Sequence, residues 1–496
     1  MVAAVGCGIL LELDQFSGAE GGHSSTAGAG GQGGSGAQGA GGGDTAGNGP
    51  DSCADGGAEF QWANQYGDDQ LDNGTAVAVD SIDYVVVAGH VAGMVTFCNT
   101  THGSLSAGTT AFVAKVAEDG NNCLWSKSFE GQGGAGGGST GDQYVNAIAV
   151  ERDADCVVLV GSATGPVDFG GGALVHSGQS HDMVVAALCN SGSHFWSHMV
   201  GGAGIQRAID VAITPLQLQV VVVGEFEESI TLAETHVSAA STDLFIALYS
   251  AEGDIEWSRA IGNNLQQKAG AVTTDSGGNI ILVGDFEGGI TMDSVTLQSA
   301  GEYDVLVAKY HSGGVVDWAK GFGDSASQWA TAVATDRQDN IIVAGQFEGV
   351  VNFGEGELIS AGDDDGYVVK LSASGEPLWS RRIGGPGLQR VDALAIDRTN
   401  DDIVVAGRFD QSIEYGGQTW TSQGGEDIFV AKLDADGSCQ WLHQFGGQQS
   451  QRVRDIAIDD QRQLLMVGGF QDSLDLGGKT LSSAGSLDIF LAKFGP

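Results

Sequence analysis

Six glutamines recur at one phase of this chain: Gln143, Gln206, Gln267, Gln328, Gln389 and Gln451, with Asp72 at the equivalent place upstream. The residues that follow them are Asn73, Tyr144, Arg207, Lys268, Trp329, Arg390 and Arg452. Four bases and two aromatics in one register stand out, because the chain has 21 Lys plus Arg against 63 Asp plus Glu. Guanidinium groups grip carboxylate or phosphate, and Tyr and Trp stack on sugars or other flat groups. Tyr144, Arg207, Lys268, Trp329, Arg390 and Arg452 therefore read as a site for an anionic or saccharide-like ligand. A second reading competes with this one. Asp182, Asp243, Asp304, Asp365, Asp427 and Asp488 recur as well, with Thr110 upstream. Gln and Arg bridging to these acids or to backbone would latch each repeat to the next. Recurrence in nearly every repeat favours the latch, since binding sites usually break symmetry.

Other chemistry finds less support. There is no nucleophile elbow, phosphate loop or zincin motif, and "GGAGGGSTGDQ" has neither a Lys nor a following helix to cradle phosphate. No catalytic residue is assigned. "AEDGNN" (117–122) and "DADGSC" (434–439) resemble the opening of a calcium loop but lack its remaining ligands. Asp-Gly turns explain them better, so Ca2+ stays a minor alternative and no metal site or cofactor is expected. Zinc-ligand spacing is absent. Among seven cysteines, Cys156 and Cys189 fall at the ends of neighbouring strands and predict a disulfide. Cys53, Cys123 and Cys439 each precede a Trp segment on the opposite face, and Cys98 lies in an excursion. Their pairing is left open.

The elements that position these residues follow from a period. Trp62, Trp125, Trp196, Trp257, Trp318, Trp379 and Trp441 stand 61 to 71 residues apart, marking seven repeats. Each repeat has a short apolar run ending in an acid ("AVAVD", "AVATD"), a β-branched run ending in Gly ("IILVG") and an excursion of about twenty residues. Then come a run such as "VLVAKY" and the Trp segment. Short β-rich runs between Gly, Asn and Asp turns are strands, A to D, and helical periodicity is absent. The fold class is all-β: a seven-bladed β-propeller with four antiparallel strands per blade. After Trp441 the chain supplies A, B and C but no further Trp strand, while "AEFQWANQYG" (58–67) is a Trp strand with nothing before it. The N-terminal strand should therefore join blade seven and close the ring. Small residues at Ala78, Ala149, Ala212, Thr273, Ala334, Ala395 and Ala457 suit strand A near the axis, whereas Asp210 and Asp455 interrupt another small position without explanation. The long B–C excursions should build up the face around the channel mouth.

This pattern resembles a bacterial β-propeller repeat family, SBBP. Its "D-x-F-x-A-K-x … G-x-x-x-W" stands at Asp427 to Trp441 and its "N-I-x-V-x-G-x-F" at Asn279 to Phe286. The first two blades depart, with Gly89-His90-Val91 and Gly161-Ser162-Ala163 in place of Gly-x-Phe. The resemblance covers 59–496 and implies a propeller, often in an exported protein. It implies no defined activity.

The remaining segments concern location. Residues 1–16 look like a truncated lipoprotein signal: Ala4-Val5-Gly6-Cys7 matches the end of such a signal, making Cys7 the lipidation candidate and placing the true start upstream. Residues 17–57 form a Gly-rich tract too poor in apolar side chains to fold, a tether with a reach of roughly 35 Å. Residues 58–496 are the propeller. A formal charge of −42 repels nucleic acid and anionic membrane. The expectation is an exported surface lipoprotein, monomeric, membrane-held only by its lipid. Its propeller would be a binding module for a protein or glycan. The alternatives are a propeller enzyme acting on polysaccharide at the channel mouth and a cytoplasmic protein.

Overall fold

A computed structural model of the chain describes residues 6–7, 53, 57–103, 108–131, 141–151, 155–177, 180–189, 191–238 and 241–496. Seven antiparallel blades stand in a ring, each with four strands in the order A-B-C-D, and the blade 5 sheet carries Gly6–Cys7 as a fifth strand beside its strand A. In blade 4 the strands are Gln267–Thr274, Ile280–Met292, Val295–Tyr310 and Val316–Phe322. The A strands of neighbouring blades meet around the axis. Blade 7 takes A, B and C from Gln451–Ile458, Leu464–Phe470 and Asp488–Phe494, and D from Phe60–Tyr66. Ala63 pairs with Ala492 and Tyr66 with Ile489, so the ring closes through backbone ladder bonds from the other end of the propeller. No helix among the described residues is long and apolar enough to cross a membrane.

The recurring sequence signatures are joints. Six of the seven outer-strand Trp, all but Trp441, lean on the next blade's C–D turn, as Trp257 does on Gly314. Gly314 has φ +77°, and a Cβ there would lie 2.7 Å from the indole, so both turn and contact require glycine. Trp257 Nε1 also donates to Ser312 O at 2.9 Å, as Trp62 does to Glu118 O and Trp196 to Ala251 O. The acid ending strand A and the Lys of strand C are partners. Lys115–Asp80, Lys309–Asp275, Lys370–Asp336 and Lys493–Asp459 lie 2.7–2.9 Å apart with both side chains buried. In blade 6 Lys432 turns to Asp402 instead, and Asp397 pairs with Arg462 of the next blade. Blade 3 replaces both members together, with Thr214 and Leu248. Blade 2 keeps an acid, Glu151, with Ala187 in place of the Lys. A buried charge without its partner is costly, and blade 3 avoids that cost by dropping both members.

Asp210 and Asp455, unexplained from sequence, sit beside a bulge in strand A and bridge two blades. Asp210 accepts from its neighbour Val211 N and from Val272 N of blade 4, and Asp455 from Ile456 N and Val77 N of blade 1, all at 2.8 Å. Burial pushes the Asp210 carboxyl up to about 7.

The B–C excursions do not heap up around the channel mouth as expected. They fold as small hairpins such as Met94–Phe97 with Thr100–Gly103, lying along the outer strands. His102 Nε2 reaches Ser126 Oγ of strand D at 2.6 Å, and Glu414 N donates to Gly384 O of the preceding blade. The reason is the exposed edge of strand D, whose unpaired backbone groups need cover. Apolar residues of the hairpins, including Phe97, Ile230, Val351, Ile413 and Leu474, are buried beneath.

Cys156–Cys189 forms the predicted disulfide, and the open pairings resolve as Cys53–Cys439 and Cys98–Cys123. The hairpin carries Cys98 down to the start of strand D. Cys53, within the segment read as tether, is buried against Gly416 and bonded to blade 6, so the chain is fixed there. Three disulfides fit a chain that folds in an oxidising, exported environment. Apart from residues 6–7, 53 and 57, the lipoprotein-like start and the Gly-rich segment lie outside the described residues. Gly6–Cys7 pairs with Val333 and Ala332, and the Cys7 side chain is not described.

Candidate functional site at the channel mouth

The glutamines and the strand C aspartates serve the loops. Gln267 accepts from Asn263 N at 3.0 Å and donates to Glu287 O, clamping the D–A loop to the start of the excursion. Gln206, Gln328, Gln389 and Gln451 make the same kind of bond to excursion carbonyls. Asp304, Asp365, Asp427 and Asp488 each accept from the N–H four residues earlier, closing the excursion's return. Among the described residues, these Gln and Asp side chains thus anchor separate turns, because each finds backbone groups of its own loop nearer.

One residue further along strand A, the position after Gln faces strand B across the antiparallel register. The pairs are Asn73–His90, Tyr144–Ser162, Arg207–Glu225, Lys268–Asp285, Trp329–Gln346, Arg390–Arg408 and Arg452–Gly469. No two blades carry the same pair. All seven strand A members are half-buried, as suits the rim of a channel.

The sequence-predicted residues differ in what occupies them. Arg390 Nη2 holds Asp364 of blade 5 at 2.9 Å, and Arg452 Nε holds Glu426 of blade 6 at 2.8 Å. The neighbouring guanidinium groups keep Glu426 ionised below the ordinary carboxylate range despite burial. Arg408 lies 3.5 Å from Glu426 and 3.8 Å from Asp392, and Arg454 belongs to the same cluster, where burial first and Arg408 next bring its pKa down to about 10. Lys268 lies over the Tyr303 ring at 5.1 Å, and Tyr144 packs edge-on against His90 at 5.0 Å. Arg207 faces Glu225 without an ion-pair contact among the described residues, and Trp329 is paired with Gln346.

The structure adds residues that sequence reasoning passed over, the second residue of each Gly-x-Phe motif. Burial pushes Glu225 up to about 7 and Asp285 up to about 8. Glu225 accepts from Ala269 N, and Asp285 Oδ1 from Ala330 N at 3.4 Å, so both carboxyls turn into the joint with the next blade. Burial likewise holds His90 and His181 down to about 4, neutral at physiological pH. The signal was legible only as variation: His90, Ser162, Glu225, Asp285, Gln346, Arg408 and Gly469 share a phase and little else. Among the described residues no group of three or more His, Cys, Asp or Glu is placed to hold a metal ion.

Closure, strand order and joints define a seven-bladed β-propeller. No family model matches the chain. An uncharacterized WD repeat-containing protein of Acanthamoeba polyphaga mimivirus is 24% identical over 241 residues, 40% of this chain and 17% of that protein. The regulatory protein FlaEY of Caulobacter vibrioides is 28% identical over 169 residues, 32% of this chain and 17% of that protein. The chain thus matches only about a sixth of the length of these relatives. Among solved structures, that of U3-55K superposes with a TM-score of 0.47 at 12% identity, covering 88% of this chain and 99% of that one.

Proposed function

We propose that this propeller is a binding module that takes a protein or glycan ligand over the channel mouth. One observation carries the reading: seven different residue pairs stand at the rim, beside Gln and Asp positions that repeat. Joints repeat because the blades repeat, and a rim that recognises one ligand has no reason to. Arg207 and Trp329 are the members least committed to neighbours and supply a cation and a stacking face. We further propose that the protein is an exported monomer of SBBP type, lipid-anchored at Cys7.

An enzyme acting on polysaccharide is the second reading, favoured by two carboxyls, Glu225 and Asp285, that titrate near neutrality. Both face a blade joint and accept backbone N–H groups, which supports binding over catalysis.

The test is a binding screen of the full chain against glycans, peptidoglycan fragments and envelope proteins, beside an Arg207→Ala/Trp329→Ala variant checked by circular dichroism. Binding by the parent and loss in the folded variant is the expected result. Equal binding by both proteins, or turnover of a polysaccharide that depends on Glu225, overturns the rim-binding reading.

A further inference from the structure

A cleft of about 610 Å³ opens on the face opposite the channel mouth, at the seam where blade 7 meets blade 1. Its size lies within the range of small-ligand sites, about 300–1,000 Å³. Blade 7 is the one blade in which no turn joins strand C to strand D, because strand D is Phe60–Tyr66. The joint is also built differently here. Lys309 and Lys370 donate to a carbonyl of the next blade's C–D turn, Ala373 O at 3.2 Å and Ala435 O at 3.0 Å. The equivalent residue of blade 1 is Glu118, and among the described residues Lys493 makes no such bond. Its ammonium keeps Asp459 at 2.8 Å and the Glu118 carboxylate at 3.9 Å. Lys493 therefore lies at the cleft, 1% exposed, with donor capacity that Lys309 and Lys370 spend on backbone and Lys115 on Asp155.

The lining defines a ligand chemistry. Trp62 and Tyr84 supply aromatic surfaces. Gln61, Asn121 and Gln463 supply amides, each able to donate and accept. Glu118 and Asp119 add acceptors and repel anions, while Ala117 is the only aliphatic side chain, too little for an apolar ligand. A molecule with flat C–H faces and many hydroxyl groups satisfies all of these conditions. We infer that the seam cleft is a binding site for a neutral saccharide. Its C–H faces lie on Trp62 and Tyr84, and its hydroxyls bond to the amides, the carboxylates and the Lys493 ammonium. This inference is independent of the rim site.

The experiment is saturation-transfer NMR on the full chain with cellohexaose, chitohexaose and maltohexaose, and with oligogalacturonate as the anionic control. Tyr84→Ala and Asn121→Ala are the test variants, because Trp62 also pins blade 7 to blade 1. Transfer to at least one neutral oligosaccharide is expected in the parent and is expected to persist in the Arg207→Ala/Trp329→Ala rim variant, where rim binding no longer contributes, with affinity about tenfold or more weaker when Tyr84→Ala is added. Silence toward all three neutral sugars overturns the inference. So does binding that survives both seam substitutions in the folded rim variant, binding abolished by the rim variant, or a preference for oligogalacturonate.

Discussion

Replacing Asp285 by Asn should change how stability responds to pH. Asp285 is fully buried between blades 4 and 5, with Oδ2 unpartnered and Oδ1 accepting from Ala330 N. Burial raises its carboxyl to about 8 from 3.8, against a smaller opposing pull from Lys268. A raised carboxyl favours the folded state in its protonated form. Its contribution is complete below about pH 4 and is lost as pH rises through about 8. Between pH 6 and 8 the folded chain holds a proton that the unfolded chain has already released. Each such pH unit corresponds to about 1.4 kcal/mol, so raising the pH from 6 to 8.5 removes about 2–3 kcal/mol through this group. Glu225 acts with the same sign, whereas His90 and His181, held down by burial, act with the opposite sign. The quantity to measure is therefore the difference between parent and Asp285→Asn, from urea midpoints at pH 6 and pH 8.5. The variant keeps the side-chain shape and an acceptor for Ala330 N, and should gain about 2–3 kcal/mol on the parent across that interval. Parallel pH profiles would show that Asp285 is ionised at neutrality and refute the burial argument.

Three further outcomes follow from the joints. Gly314→Ala should cost about 2–4 kcal/mol in thermal unfolding, because it adds a Cβ 2.7 Å from Trp257 at positive φ. Gly313→Ala meets nothing within 4 Å and should be close to neutral. Lys309→Leu leaves Asp275 buried without its partner and should cost about 3–5 kcal/mol, while adding Asp275→Thr copies blade 3 and should restore most of that in denaturant titration. Cys53→Ser with Cys439→Ser opens a 386-residue covalent loop across the ring closure and should lower stability by about 2–5 kcal/mol, read by melting temperature, and reduction of the parent, which opens all three disulfides, should lower it further.

The sequence by itself determined the repeat, the strand types and the closure. Period and alternation are local properties, and a Trp strand at 58–67 with no blade of its own could go only to the blade that lacked one. The Cys156–Cys189 pair was readable for the same reason, since it joins adjacent strands of one blade. What tertiary structure decided is what meets across blades. That Asp397 of blade 6 answers Arg462 of blade 7, that Asp210 bonds to Val272 in the next blade, and that Cys53 reaches Cys439 depend on how sheets face one another. The excursions looked like loops for the channel mouth, but an exposed strand edge drew them down the outside. The rim pairs and the seam cleft were equally hidden. A repeat aligns residues in phase, but only packing shows which are spent on a neighbouring carbonyl or carboxylate and which remain turned toward solvent.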